Sequence, residues 1–168
     1  MKHTISVTVE NKFGVLARVS GLFSSRGYNI DSLTVGETLD PRISRMTIMV
    51  KGDDKILEQV IKQLSKLVDV IDVKDLKRGS YVARELLLIK AKTTSKTRAE
   101  VMEIVNVFRG KTIDIGHKSL IILLTGSEEK IGAFLELVEP FGIIELSRTG
   151  RVAMVRELNE TGDSEELE

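Results

Sequence analysis

One order of patterned segments occurs twice in this chain, and that repetition restricts the fold more than any single motif does. Thr4-Ile5-Ser6-Val7-Thr8-Val9 alternates polar and apolar residues, which places Ile5, Val7 and Val9 on one face of a strand. After the turn Glu10-Asn11-Lys12-Phe13-Gly14, residues Val15, Leu16, Val19, Leu22 and Phe23 recur at helical spacing, predicting a helix over about 14–26 with Gly27 as a left-handed cap. Two β-patterned runs, Ile30 to Leu39 and Ile43 to Val50, flank Asp40-Pro41-Arg42 and read as a hairpin, since proline pre-sets a turn dihedral. Asp53 or Asp54 can cap a helix carrying Ile56, Leu57, Val60, Ile61 and Leu64, and Val68 to Val73 reads as a further strand.

The second half repeats the order without repeating the residues. Glu85 to Ala91 reads as a strand, 98–108 as a helix, 111–116 and 119–125 as strands, 128–139 as a helix, and a last strand starts at Ile143. The first of these helices opens with the capping-box pattern Thr97-x-x-Glu100, and Ser127 is placed to cap the second. Two consecutive β-α-β-β-α-β units predict an α+β chain of two ferredoxin-like domains, each an antiparallel sheet with both helices on one face. The expected division is 1–77, 78–157 and a tail at 158–168, with the join near Asp75 to Arg84. Units this small are marginal alone, and each leaves a sheet face without helices, which predicts association through that face or a sheet edge, as a homodimer or higher.

Composition removes other classes. With 42% hydrophobic and 30% charged residues in 168, and no apolar run of about 18, the chain is neither disordered nor membrane-spanning. There is no cysteine, so disulfides, thiolate chemistry and cysteine metal sites are impossible. The start, Met1-Lys2-His3-Thr4, shows no signal-peptide pattern, which predicts a cytoplasmic location. Formal charge is zero, but Glu157, Glu160, Asp163, Glu165, Glu166 and Glu168 crowd the tail, and without them the rest stands at +6, too mild to predict nucleic-acid binding. The seven aromatics fall mostly on helices and turns, which leaves no stacking platform for RNA.

A search for chemistry yields no catalytic or metal-ligating set. His3 and His117 read as lone surface histidines, Asp53-Asp54 and Glu128-Glu129 as acids answering helix dipoles, and Ser20, Ser24 and Ser25 lack a nearby base. No phosphate loop occurs, so the reading as a small hydrolase has no support. The basic run Lys74, Lys77, Arg78, Arg84, Lys90 and Lys92 reads as a solvated strand edge.

The turn Glu10 to Leu16 is different. Gly14 permits close backbone approach at a helix N-terminus, whose free N–H groups suit a carboxylate, and Asn11 offers a carbonyl oxygen to an ammonium group. That set could hold a free amino acid, or could equally be a polar turn, and Asn29 after Gly27-Tyr28 carries the same two readings.

Taken together, Glu10-Asn11-Lys12-Phe13-Gly14-Val15-Leu16-Ala17-Arg18-Val19 and Arg26-Gly27-Tyr28-Asn29-Ile30-Asp31-Ser32-Leu33-Thr34-Val35 resemble an ACT domain, a regulatory amino-acid-binding module. With Ser44-Arg45-Met46-Thr47-Ile48, Gln63-Leu64-Ser65-Lys66-Leu67-Val68-Asp69-Val70, Arg84-Glu85-Leu86 and Phe108-Arg109-Gly110-Lys111-Thr112-Ile113-Asp114, the chain is similar to the small regulatory subunits of acetolactate synthase, also called acetohydroxyacid synthase. The resemblance implies a non-catalytic chain that activates a large catalytic subunit and confers feedback inhibition by valine, an effector of branched-chain amino acid biosynthesis. It implies no cofactor here, and thiamine diphosphate, magnesium and FAD on the large subunit. It further implies a valine site between two copies, with Asn11, Lys12, Phe13, Gly14, Val15 and Leu16 of one facing Asn29 and Ile30 of the other. The alternative is an ACT-type sensor serving another amino-acid enzyme.

Overall fold

The computed structural model describes residues 2–76 and 81–156. The expected join at Lys77 to Ser80 and the acidic tail lie outside the described residues. The first unit comprises β1 (Lys2–Glu10), α1 (Val15–Ser25), β2 (Ile30–Glu37), β3 (Ile43–Lys51), α2 (Asp54–Leu64) and β4 (Val70–Asp75). Its sheet runs β2-β3-β1-β4, antiparallel throughout. The period-two face of β1 meets Met46, Ile48 and Val50 of β3, then Val15, Val19 and Phe23 of α1 and Leu57, Val60 and Leu64 of α2, forming one core.

Local signals place the ends of these elements. Gly27 is left-handed at φ +70°, its N–H donates to Ser24 O at 3.2 Å and Tyr28 N–H donates to Phe23 O at 3.0 Å, the Schellman pattern that closes α1. Asp53 caps α2 by accepting from Ile56 N–H at 2.8 Å. The Asp40-Pro41-Arg42 turn is closed by Ile43 N–H donating to Asp40 O at 2.9 Å.

The second unit comprises β5 (Tyr81–Lys92), α3 (Arg98–Val107), β6 (Lys111–Ile115), β7 (Ser119–Gly126), α4 (Glu128–Val138), a short 3-10 turn (Glu139–Phe141), β8 (Ile143–Arg148) and β9 (Val152–Val155). Its order β6-β7-β5-β8 repeats the first sheet. Leu87, Ile89, Leu120, Ile122, Leu124, Val101, Val105, Ile131 and Val138 pack around Phe134, whose ring meets Phe108 edge-on at 5.5 Å.

Four expectations need correction. Thr97 and Glu100 do not form a capping box: Thr97 is itself helical in backbone and makes no cap hydrogen bond. Instead Thr94 N–H donates to Thr97 Oγ1 at 3.0 Å and Thr97 N–H to Thr94 Oγ1 at 3.2 Å, so two threonines exchange the bonds that the box would have made. His3 is buried, with Nε2 at 3.0 Å from Gly52 O, because it shares the inward phase of β1 with Ile5 and Val7. Lys90 and Lys92 do not mark an edge, since that part of β5 is paired on both sides; Arg84 is paired only with Val152 of β9, Lys74 lies on the edge strand β4, and Lys77 and Arg78 lie outside the described residues.

The fourth correction concerns the open face of the first sheet, which its own chain partly covers. Strand β5 is twelve residues long; β8 pairs with its second half and β9 with its first, on the same side, parted by a kink at Thr149-Gly150. Beyond the kink the chain lies on the first sheet. Thr34 Oγ1 donates to Thr149 O at 2.8 Å, Arg151 Nη1 to Thr4 Oγ1 at 3.0 Å, and Ala153 N–H to Thr47 Oγ1 at 3.4 Å. Gly150 has φ +78°, and a Cβ built there would stand 2.9 Å from Ser32 Cβ, so both its conformation and the close approach require glycine.

Candidate functional site

The turn between β1 and α1 is tied to two neighbouring loops. Asn11 N–H donates to Arg42 O at 2.6 Å, and Asn11 Nδ2 donates to Glu37 Oε1 at 3.1 Å and to Pro41 O at 2.9 Å, binding the turn to the β2–β3 hairpin. Glu10 N–H donates to Asp69 O at 2.9 Å, which adds the loop before β4. With its amide nitrogen engaged, Asn11 keeps Oδ1 as an acceptor. Lys12 stands outward, its Nζ 2.7 Å from Glu10 Oε2; that hydrogen bond and the carboxylate charge raise the lysine pKa above its usual value. Phe13 beside it is fully exposed.

Gly14 caps α1 in the left-handed region, φ +82° and ψ −7°. A Cβ there would meet only Arg18 Nη1 at 3.5 Å, an ordinary contact, so within one chain it is the backbone angle and not crowding that calls for glycine. The helix start that follows has neither a side-chain cap nor an acidic residue in its first turn. The other described helices are all answered: α2 by Asp53 and Asp54, α3 by Glu100, α4 by Ser127, Glu128 and Glu129. The partial positive charge at the α1 terminus therefore has no built-in counter-charge in that turn. Val15 N–H is spent on Lys12 O at 3.3 Å and its side chain is buried in the core, whereas Leu16 faces outward. One turn on, Arg18 pairs with Asp69 at 2.7 Å.

Asn29 and Ile30 lie at the opposite end of α1. Asn29 Nδ2 donates to Asp31 Oδ1 at 3.1 Å and the residue is exposed; Ile30 opens β2 and packs on its own core. Eleven helical residues put about 16 Å between the two groups. One chain does not bring them together, and a ligand touching both needs a second copy.

A polar cluster between the units had no individual signal in the sequence. Glu128 accepts from Arg151 Nη2 at 2.6 Å and from Lys2 Nζ, while Arg148 pairs with the buried Glu85. The hydrogen bond from Lys2 and the nearby arginines outweigh burial and hold the Glu128 carboxyl below its ordinary value of 4.5. Lys2, Glu85, Glu128 and Arg148 border a cleft of about 400 Å³ with Asp31, Ser32 and Met49. Every charged group on it already has an opposite charge in contact, so the cluster reads as a join between the two units. No helix of the described residues is long and apolar enough to cross a membrane.

Comparison with known proteins gives the site its context. Residues 5–72 match the family described as AHAS small subunit-like ACT domain, and 84–157 match the small subunit of acetolactate synthase. A probable acetolactate synthase small subunit of Archaeoglobus fulgidus is 55% identical over 156 residues, which cover 93% of this chain and 98% of that protein. The acetolactate synthase small subunit of Aquifex aeolicus is 52% identical over 159 residues, 94% of this chain and 83% of that one. The crystal structure of the acetolactate synthase small subunit from Thermotoga maritima superposes with a TM-score of 0.86 at 44% identity, covering 93% and 98% of the two chains. With both halves matched, and relatives this similar over nearly their whole length, the chain belongs to the family of acetolactate synthase small subunits, regulatory chains built on an ACT domain.

Proposed function

We propose that this chain activates an acetolactate synthase large subunit and confers feedback inhibition by valine, bound where the α1 turn of one copy meets Asn29 and Ile30 of another. The observation that carries this reading is the α1 N-terminus, uncapped and without acid behind a left-handed Gly14. There the first-turn N–H groups suit the carboxylate of valine, and Asn11 Oδ1 suits its ammonium. Chemistry belongs to the large subunit with its thiamine diphosphate, magnesium and FAD; the small chain contributes binding energy that differs between two arrangements of the complex. For valine to inhibit, it must bind those arrangements unequally, and by linkage the large subunit must alter valine affinity in return.

Isothermal titration of valine into the parent chain and a Gly14→Asp variant tests the site. Saturable binding by the parent, lost in the variant because a carboxylate then occupies the anion position, is the expected outcome. A folded parent that takes up no valine, leucine or isoleucine would overturn it.

A further inference from the structure

The amide group of Asn11 has only one orientation open to it. Both partners of Nδ2, Glu37 Oε1 at 3.1 Å and Pro41 O at 2.9 Å, are acceptors only, so the nitrogen has to face them and Oδ1 faces away as the open acceptor. The backbone N–H of Asn11 is spent on Arg42 O, which holds the residue from a third side. Glu37 is therefore part of what aims Asn11. It lies 26 positions on, at the end of β2 opposite Ser44 of β3, and it is exposed. Its charge also sets it apart from the other carboxylates around the turn. Glu10 has Lys12 at 2.7 Å, Asp40 has Arg42 at 2.7 Å and Asp69 has Arg18 at 2.7 Å. Among the described residues Glu37 has no such cation, and its carboxylate takes the Asn11 amide alone.

From this we infer that Glu37 makes the site select an α-amino acid over the matching 2-oxo acid, by aiming Asn11 Oδ1 at the ligand's ammonium group and supplying the negative charge that faces it. The inference rests on the reading that valine binds at the α1 turn. Two opposite charges then border one short segment, the α1 start with no acid in its first turn and the unpaired Glu37 carboxylate held by Asn11. A zwitterion answers both at once. Because Oδ1 and Nδ2 hang on one carbon, a cation bonded to Oδ1 lies within about one Debye length, roughly 8–10 Å, of the carboxylate bonded to Nδ2, so ordinary salt screens their attraction only in part. The 2-oxo acid has the same carboxylate and the same branched side chain, but it presents a carbonyl oxygen in place of the ammonium. That oxygen is an acceptor set against two acceptors, Asn11 Oδ1 and Glu37, and gains no hydrogen bond from either. A site arranged to take an N–H rejects a ligand that lacks one far more strongly than it rejects a small difference in apolar bulk. Glu37 is thus a positioning residue that acts through Asn11 and through its charge.

The experiment measures valine affinity by isothermal titration for the parent, Glu37→Gln and Glu37→Ala, at low and at high salt, with 3-methyl-2-oxobutanoate, the 2-oxo acid of valine, as competitor. Glutamine keeps a carbonyl oxygen for Asn11 Nδ2 and removes the charge, whereas alanine removes both. Glu37 is exposed, so thermal melting and sedimentation of both variants should match the parent. The expected result is that Glu37→Gln weakens valine binding about tenfold at low salt. High salt should narrow that difference, because the parent has more attraction to lose. Glu37→Ala should weaken valine at least as much. In the parent the 2-oxo acid should displace valine only at concentrations about a hundredfold or more above those of valine itself, and Glu37→Gln should narrow this gap about tenfold. A glutamine variant that binds valine like the parent would overturn the inference. So would a loss of the same size at both salt concentrations, which would leave Glu37 as a brace without an electrostatic part, and so would an unchanged gap to the 2-oxo acid. A parent that takes up no valine would defeat the reading of the site and this inference with it, whereas valine uptake that is indifferent to Glu37→Gln removes the inference alone.

Discussion

The two halves of the chain share a strand order, β2-β3-β1-β4 against β6-β7-β5-β8, yet differ in how their first helices begin. At the third residue inside the helix, α1 has Ala17 and α3 has Glu100; before it stand a left-handed Gly14 in one case and the paired threonines 94 and 97 in the other. The fold does not demand a bare helix start, because the second half builds the same helix with its dipole answered. What the first half gives up in local stability leaves partial positive charge unanswered in the first turn of α1. The open faces differ too: the first is polar and carries β9, whereas the second presents the partly exposed Leu86, Leu88, Ile121 and Leu123. A shared fold thus fixes the scaffold, and the two halves differ at the turn and the faces.

Equivalent substitutions in the two halves test this comparison. The largest effects belong to the cores. Phe23→Ala and Phe134→Ala each empty a fully buried position and should cost about 3–5 kcal/mol, read from urea midpoints at constant m-value. Both should lower one shared transition, since β9 joins the halves; two separated transitions would show that each half unfolds by itself.

A smaller and more pointed effect comes from exchanging the helix starts. Ala17→Glu gives α1 the acid that α3 has, and should stabilise the fold by about 0.3–1 kcal/mol while weakening valine binding about tenfold or more through repulsion of the carboxylate. Glu100→Ala should lose a similar amount of stability and leave valine binding unchanged. Calorimetry and thermal melts on the two variants decide the matter; equal effects on valine binding would remove the functional asymmetry between the helix starts.

The smallest effect is a pH dependence at the join. The Glu128 carboxyl is held below 4.5 by Lys2 and the arginines, so its folded-state pKa lies under its unfolded one. Its contribution is complete above the unfolded value and is lost as pH falls through the folded one. Between neutral pH and that range, the unfolding midpoint of Glu128→Gln should decline less than that of the parent. Parallel curves would mean that Glu128 contributes nothing at the join.

Much of this architecture was legible in the residues. Period two in Ile5, Val7 and Val9 and helical spacing in Val15, Val19 and Phe23 set the elements, while Gly27, Asp53 and Ser127 placed helix ends, because each signal acts within a few residues of itself. His3 shares the phase of Ile5 and Val7 in β1, and the same alternation accounts for its burial. Thr97 and Glu100 do not make the box, because Thr97 turns back to Thr94 and the two threonines exchange N–H bonds.

The candidate site was legible in its parts and not in its assembly. Gly14 and Asn11 announce an unusual turn, but the bonds that brace Asn11 come from Glu37 and Pro41, more than twenty-five residues away, and α1 itself keeps Asn29 at the far end. By itself, then, the sequence determined the elements other than β9, their order, the two cores and the bare helix start, all of which rest on local spacing and local hydrogen bonding. Only the tertiary structure decided that Thr4 and Thr47 would be buried and that Arg151 would reach Thr4 across 147 positions. A polar residue on a strand reads as solvent-facing until a distant segment covers it, and whether one does is set by how the chain packs and not by any pattern around the residue.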